Sequence, residues 1–216
     1  MIYPILGIDL GTCCTCVYGF KNGQLLAIPF NGLNTIVSYI YINDGKTLCG
    51  EQAKMQILTQ PDHVIYDVKR FIGRNVNEIQ QVIRNKRYQF VIDSYNNRPV
   101  FCIPQNSEYY CYTAEHIDSY FLKYIVDCAS QFLEYKPEAV VITVPAFFQV
   151  SQIDATKQAA KMAGLNVVAV LFEPSAAAIA SSIPITVDVR HGLVYDLGGG
   201  TFDVAIVETS GSNYDI

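Results

Sequence analysis

Two short segments place acidic, glycine and hydroxyl residues in the same order. Gly7-Ile8-Asp9-Leu10-Gly11-Thr12 lies near the start of the chain, and Tyr195-Asp196-Leu197-Gly198-Gly199-Gly200-Thr201-Phe202-Asp203 near its end. Each is an apolar run that reaches Asp, turns through glycine and resumes at Thr. Glycine lets the backbone approach a ligand, successive N–H groups form an anion-binding concavity, and a hydroxyl adds a donor. Two such hairpins can close on one polyphosphate. Asp beside a phosphate is repulsive unless a divalent cation, here Mg²⁺, stands between them directly or through water. The pattern therefore predicts a nucleoside triphosphate site.

Strands and helices must bring those turns together. Apolar runs at residues 5–10, 15–20 and 25–30 open the chain, and Asn22-Gly23 between the last two is a hairpin signal. A second hairpin is expected at 37–42 and 47–49, turned by Asn43-Asp44-Gly45. Residues 51–60 read as a helix stopped by Pro61, and 75–84 as another with Val76, Ile79, Val82 and Ile83 on one face. Short strands are expected at 90–92, 99–103 and 108–112. Thr113 can cap a long helix in which Ile117, Tyr120, Phe121, Tyr124, Ile125, Cys128 and Phe132 recur as a core stripe.

Residues 139–144 are nearly all β-branched and predict a strand buried on both faces, with a second buried strand at 167–172. Ser151 with Asp154 suggests a capping box for a helix ending at Gly164, and Pro174 starts a helix over 175–180. A final hairpin joins 193–196 to 201–207. The order predicts an α/β layered architecture with a mixed sheet. Residues 38–112 read as an inserted α+β subdomain, and 191–216 as the beginning of a repeat of the first hairpin.

Composition bounds the partners. The chain has 216 residues, half of them hydrophobic, enough for a sizeable core. A net charge of −5 without any Lys/Arg run argues against polymeric nucleic acid. No apolar run approaches the length of a membrane span, and the first residues lack a basic leader, so a cytoplasmic protein with no membrane partner is expected. The seven cysteines are odd in number and are expected to be reduced thiols acting as small apolar residues. Cys13-Cys14-Thr15-Cys16 has no second pair and no nearby His, so a structural metal there is not expected.

Five stretches in order carry a resemblance to the ATPase domain of the seventy-kilodalton heat-shock chaperones, members of the actin-like ATPase superfamily with ribonuclease-H-like subdomains. They are the Gly7–Thr12 turn, Asp67-Val68-Lys69-Arg70-Phe71-Ile72-Gly73-Arg74, Val144-Pro145-Ala146-Phe147-Phe148, Glu173-Pro174-Ser175-Ala176-Ala177-Ala178, and the Asp196–Asp203 turn. The resemblance implies a ribonuclease-H-like core of lobe I over residues 1–37 and 113–190, the insertion at 38–112, and the first hairpin of lobe II at 191–216. It implies ATP/ADP and Mg²⁺ as cofactors. Asp9 and Asp196 would hold the metal's water shell, with Glu173 and Asp203 completing the polar ring around metal and water. Gly11, Thr12, Cys13, Cys14, Gly198, Gly199, Gly200 and Thr201 would line the phosphates. Lys69 would orient the attacking water, in a catalytic set with Glu173, Asp196 and Thr201. Unfolded peptide clients, a J-domain protein and a nucleotide exchange factor would be the partners.

The chain also departs from that family. Thr12 is followed by Cys13 and Cys14 where the family has a second Thr and an aromatic residue, and a thiol is a weak donor. Ile153 and Ala169 occupy positions that are basic in the family and serve interdomain and J-domain contacts, so the J-domain contact is expected to be altered. The sequence ends one hairpin into the second lobe, so weak or no ATP binding and turnover is expected of these 216 residues alone. Two functions follow: the ATP-binding part of a chaperone that couples hydrolysis to protein folding in its full-length form, or a truncated, non-hydrolysing relative acting as an interaction module. The final hairpin is expected to pair with another chain, pack back on the first lobe or lack order.

Overall fold

Alternation of apolar residues decides which face of the first strand is covered. In β1 (Ile5–Asp9), Leu6 and Ile8 are buried while Gly7 and Asp9 are exposed, the two-residue period of a strand with one packed face. The computed structural model describes residues 4–85, 88–181, 190–199, 202–210 and 213–215. From β1 the chain meanders through β2 (Cys14–Lys21) and β3 (Gln24–Ala27), turning at Asn22 and Gly23, both with positive φ. That is the conformation an Asn-Gly hairpin requires.

β4 (Thr35–Val37) returns to pair with the start of β2, and β5 (Tyr39–Asn43) and β6 (Lys46–Cys49) form the second expected hairpin at Asp44-Gly45. α1 (Glu51–Met55) is shorter than the sequence suggests and tightens into a 3-10 turn over Gln56–Leu58. An unexpected strand, β7 (Val64–Tyr66), adds to the free side of β5; three residues are too few to show a period. After a 3-10 turn at Val68–Arg70 comes α2 (Val76–Asn85), where Asn75 and Glu78 cap reciprocally. β8 (Val91–Tyr95), β9 (Arg98–Gln105) and β10 (Glu108–Thr113) make a separate antiparallel sheet.

In that sheet Cys102 stands opposite Cys111, and the two form a disulfide. The expectation of seven reduced thiols therefore fails at this pair, because antiparallel register brings two distant sequence positions face to face. Cys13, Cys14, Cys16, Cys49 and Cys128 are not disulfide-bonded.

α3 (Ala114–Leu133) starts at the expected Thr113 cap, whose hydroxyl accepts the His116 N–H. Its buried stripe runs through Ile117, Phe121, Ile125 and Leu133, with Tyr120, Tyr124, Cys128 and Phe132 half-buried beside it. β11 (Ala139–Val144), α4 (Val150–Met162) and β12 (Asn166–Phe172) then form a β-α-β crossover. α4 is capped by a Gln149–Gln152 box rather than by Ser151 and Asp154, because the helix begins two residues earlier. The main sheet has the order β12-β11-β1-β2-β3, with β4 also on β2; β12, β11 and β1 are parallel and the rest antiparallel. The mixed α/β architecture expected from the order of elements is thus present.

Neither parallel strand is buried on both faces. β11 alternates between buried and half-buried residues, and β12, an edge strand, exposes Val168 and Phe172. α5 (Glu173–Ala180) follows β12 directly and packs against β13 (Arg190–Leu197), β14 (Phe202–Ser210) and β15 (Asn213–Asp215). Of the outcomes expected for the final hairpin, packing back through α5 is the one found. Leu193, Tyr195 and Leu197 face Ile206, Val204 and Phe202 across the hairpin, and all six are exposed.

One contiguous core runs from Leu6 to Leu165 and includes Phe71, Phe101 and Phe121. It anchors the segment 67–74 that carries Lys69. Asp67 is buried, takes the left-handed conformation at φ 59°, accepts the Tyr88 hydroxyl at 3.2 Å and lies 3.3 Å from Arg70 Nε. Gly73, at φ +66°, lies against the first turn of α4: a Cβ there would stand 2.5 Å from the Ser151 carbonyl oxygen and collide with Gln152 Cα. Gly73→Ala is expected to destabilise the protein by about 2 kcal/mol or more, from backbone strain plus displacement of α4. A urea unfolding midpoint equal to the parent's would show that this approach is not required.

Candidate functional site

Backbone turns shape the first glycine loop. Asp9 ends β1, where its Oδ1 accepts the Thr143 hydroxyl at 2.8 Å across the parallel pair with β11. The Gly11 N–H donates back to the Asp9 carbonyl at 3.1 Å, so the chain reverses at once. Any side chain at Gly11 would run into the Cys14 carbonyl. Glycine is there for close approach, as its place in the motif implied.

Ser38, which no sequence motif singles out, holds this loop from beneath. Its N–H donates to the Cys13 carbonyl at 2.8 Å, and its hydroxyl donates to the Gly11 carbonyl at 2.8 Å. Thr15 Oγ1 is 3.0 Å from the same hydroxyl. The one proton of Ser38 goes to Gly11, so Thr15 is the donor in that contact. The carbonyls of the turn are thereby satisfied from the protein side. Ser38 stands between β4, which pairs with β2, and β5, and that pairing brings it here without any local pattern to announce it.

Lys69 reaches the same place from the 3-10 turn. Its ammonium donates to the Leu10 carbonyl at 2.7 Å and to Glu173 Oε1 at 2.5 Å, with the Phe148 ring centroid at 6.0 Å. Both side chains of the ion pair are largely buried. Glu173 opens α5, so the pair ties β1, the 67–74 segment and α5 together. Burial pushes the Glu173 carboxyl above its usual range; Lys69 opposes that rise, while Asp9 and Asp196 add to it. All three acids and Lys69 therefore act on one small region.

The second hairpin brings Asp196 and Asp203 directly opposite each other on β13 and β14, both half-buried. Gly199 lies against Cys13: a Cβ on Gly199 would sit 2.9 Å from Cys13 Cβ and 3.0 Å from its Sγ. The two glycine turns thus meet, as the paired motifs require. Gly198 is exposed next to them. Gly200 and Thr201, also expected at the phosphates, lie outside the described residues. Thr12 and Cys13 are half-buried and Cys14 is exposed, all within the first turn.

Asp9, Glu173 and Asp196 gather near the Lys69 ammonium, with Asp203 opposite Asp196 on the hairpin. Such an excess of negative charge beside an anion-binding turn suits a divalent cation, which would reverse the repulsion. Among the described residues no three His, Cys, Asp or Glu side chains converge closely enough to cage a metal directly.

A glycine turn at a strand end, a second one facing it and a buried lysine held by a carbonyl and a carboxylate make a candidate anion-binding site. The sequence matches the Hsp70 protein family over residues 5–216, and the chain belongs to that family. It is 38% identical over 214 residues to the chaperone protein dnaK of Cyanidioschyzon merolae, covering 98% of this chain and 35% of that protein. It is 37% identical to the chloroplastic heat shock 70 kDa protein 6 of Arabidopsis thaliana, covering 98% of this chain and 29% of that protein. A heat shock 70 kDa protein of Emericella nidulans is 37% identical over 94% of this chain and 32% of its own length. The chain thus spans about a third of the length of these relatives. Among the described residues no helix is long and apolar enough to cross a membrane.

The clamp under the first turn is directly testable. Ser38→Ala removes a hydroxyl that serves two contacts and leaves the Gly11 carbonyl without its donor. A loss of about 1–3 kcal/mol in unfolding free energy is expected. Equilibrium denaturation measures it, and a loss below the error of the measurement would show that the loop is held by its own backbone.

Proposed function

We propose that this chain is the N-terminal part of the ATPase domain of an Hsp70-type chaperone, which couples Mg-ATP binding and hydrolysis to protein folding in its full-length form. The finer architecture follows: a ribonuclease-H-like core over residues 1–37 and 113–190, an inserted subdomain over 38–112, and the first hairpin of a second, actin-like lobe over 191–216. One observation carries the reading, the Lys69 ammonium fixed between the Leu10 carbonyl and Glu173 at the glycine turn.

Phosphoryl transfer to water depends on positioning and electrostatics rather than on a covalent nucleophile. Gly11 lets the backbone approach, and backbone N–H groups from Thr12 to Cys14 and from Gly198 to Gly200, with the hydroxyls of Thr12 and Thr201, bind the phosphates. Asp9 and Asp196 would hold Mg²⁺ through water, with Asp203 beside them, and the metal would offset phosphate charge. Lys69 orients the attacking water and offsets charge at the γ-phosphate edge. Glu173 holds Lys69 in place and accepts from that water's shell. Retention of Asp9, Lys69, Glu173 and Asp196 together supports a hydrolytic site over a non-hydrolysing module. Peptide clients, a J-domain protein and a nucleotide exchange factor are the proposed partners. Ile153 and the exposed Ala169 on β12 offer no charge to a J-domain, so that contact differs from the family's usual one.

In the intact chaperone, Lys69→Ala is expected to lower ATP turnover by about a hundredfold or more. Single-turnover hydrolysis measures this, and an unchanged rate would overturn the role of Lys69. Chelation of Mg²⁺ is expected to abolish calorimetric ATP binding. Cys13→Thr restores a hydroxyl at the first turn and is expected to tighten nucleotide binding by up to about tenfold; a weaker variant would mean that the thiol's contact with Gly199 matters more than the missing donor.

A further inference from the structure

Beneath the first glycine turn lies a small hollow of about 10 Å³, lined by Leu10, Gly11, Thr12, Ser38, Lys69 and Asp118 among others. That is close to the space of one water molecule. Asp118 enters it from the early part of α3, is only 5% exposed, and has no hydrogen bond to its carboxyl among the described residues. An acid placed so deeply requires an explanation. The mechanism proposed above makes no use of it.

The charged groups around Asp118 are few. Lys69 faces it from the 3-10 turn, Glu115 lies one turn earlier on its own helix, and Glu173 reaches the same ammonium from α5. The other named residues of the hollow, from β1, the glycine turn and the segment before β5, carry no charge. Burial raises the Asp118 carboxyl to about 7, with Lys69 pulling it down and Glu115 pushing it up.

Donor arithmetic connects this acid to the site. An ammonium has three N–H donors. Lys69 commits one to the Leu10 carbonyl and one to Glu173. A single donor is left for the phosphate edge or the attacking water. We propose that Asp118 is a positioning residue for Lys69: ionised, it draws the remaining donor into the hollow, and protonated, it leaves that donor to the nucleotide. This inference rests on the nucleotide-site assignment. It makes the strength of the lysine at the γ-phosphate depend on pH within the neutral range.

The test compares the parent with Asp118→Asn and Asp118→Ser, in the intact chaperone, by two measurements. The first is the pH profile of Mg-ATP turnover. The parent rate is expected to fall by up to about tenfold between about pH 6 and about pH 8, and both variants to be flat across that window. The second is thermal stability against pH. A folded-state pKa above the unfolded value means that neutral Asp118 contributes fully at acid pH, and that this contribution is lost as pH rises from about 4 to about 7. The melting temperature of each variant relative to the parent is therefore expected to climb over that interval and level off above it. A parent profile without the fall, variants that keep it, or a stability difference independent of pH would each overturn the role of Asp118. Absence of Mg-ATP turnover in the parent at every pH would instead overturn the nucleotide-site assignment, and the inference with it.

Discussion

One ammonium group, donating both to the Leu10 carbonyl and to Glu173, fixes three chain segments that are far apart in sequence. β1 supplies the carbonyl, the 3-10 turn supplies the lysine, and α5 supplies the acid. A buried ion pair of this kind adds little to stability, because the cost of desolvation offsets the Coulomb gain; its value lies in geometry. Much of the fold serves that geometry. The aromatic cluster of Tyr66, Phe71, Tyr88, Phe90 and Phe101, with ring centroids 4.8 to 5.5 Å apart, and the abutment of Gly73 on α4 hold the lysine's segment rigid. Thr143 and Ser38 do the same for the Asp9 turn.

The site is also electrostatically unfinished on its own. Glu173 has its partner yet stays above the usual carboxyl range, since burial and the neighbouring acids outweigh one lysine. A surplus of carboxylates is costly in a folded protein unless something positive completes it. Their arrangement at the junction of two glycine turns relates the cost to binding rather than to stability.

Much of this was legible in the sequence where local chemistry is decisive. Asn22-Gly23 and Asp44-Gly45 turn where such pairs must, Thr113 caps its helix, and the β-branched run at β11 has the bounds its composition implies. Asp9, Lys69 and Glu173 were found through motif order, and the fold brings them together. What escaped was set by tertiary context. β12 is as apolar as β11 but lies at the sheet edge, so composition overstated its burial. The partnership of Cys102 with Cys111 depends on strand register. Ser38 and Asp118 are single polar residues in apolar surroundings, and their importance appears only once other segments fold around them.

α5 touches both the main sheet and the terminal hairpin, and its first residue is Glu173. It therefore joins the two sheets, while the two turns touch each other directly at Cys13 and Gly199. Pro174 and Ala178 are its buried residues, and small side chains there let it seat deeply. A change in the bulk of either would move Glu173, and with it the Lys69 ammonium, without altering a residue of the glycine turns.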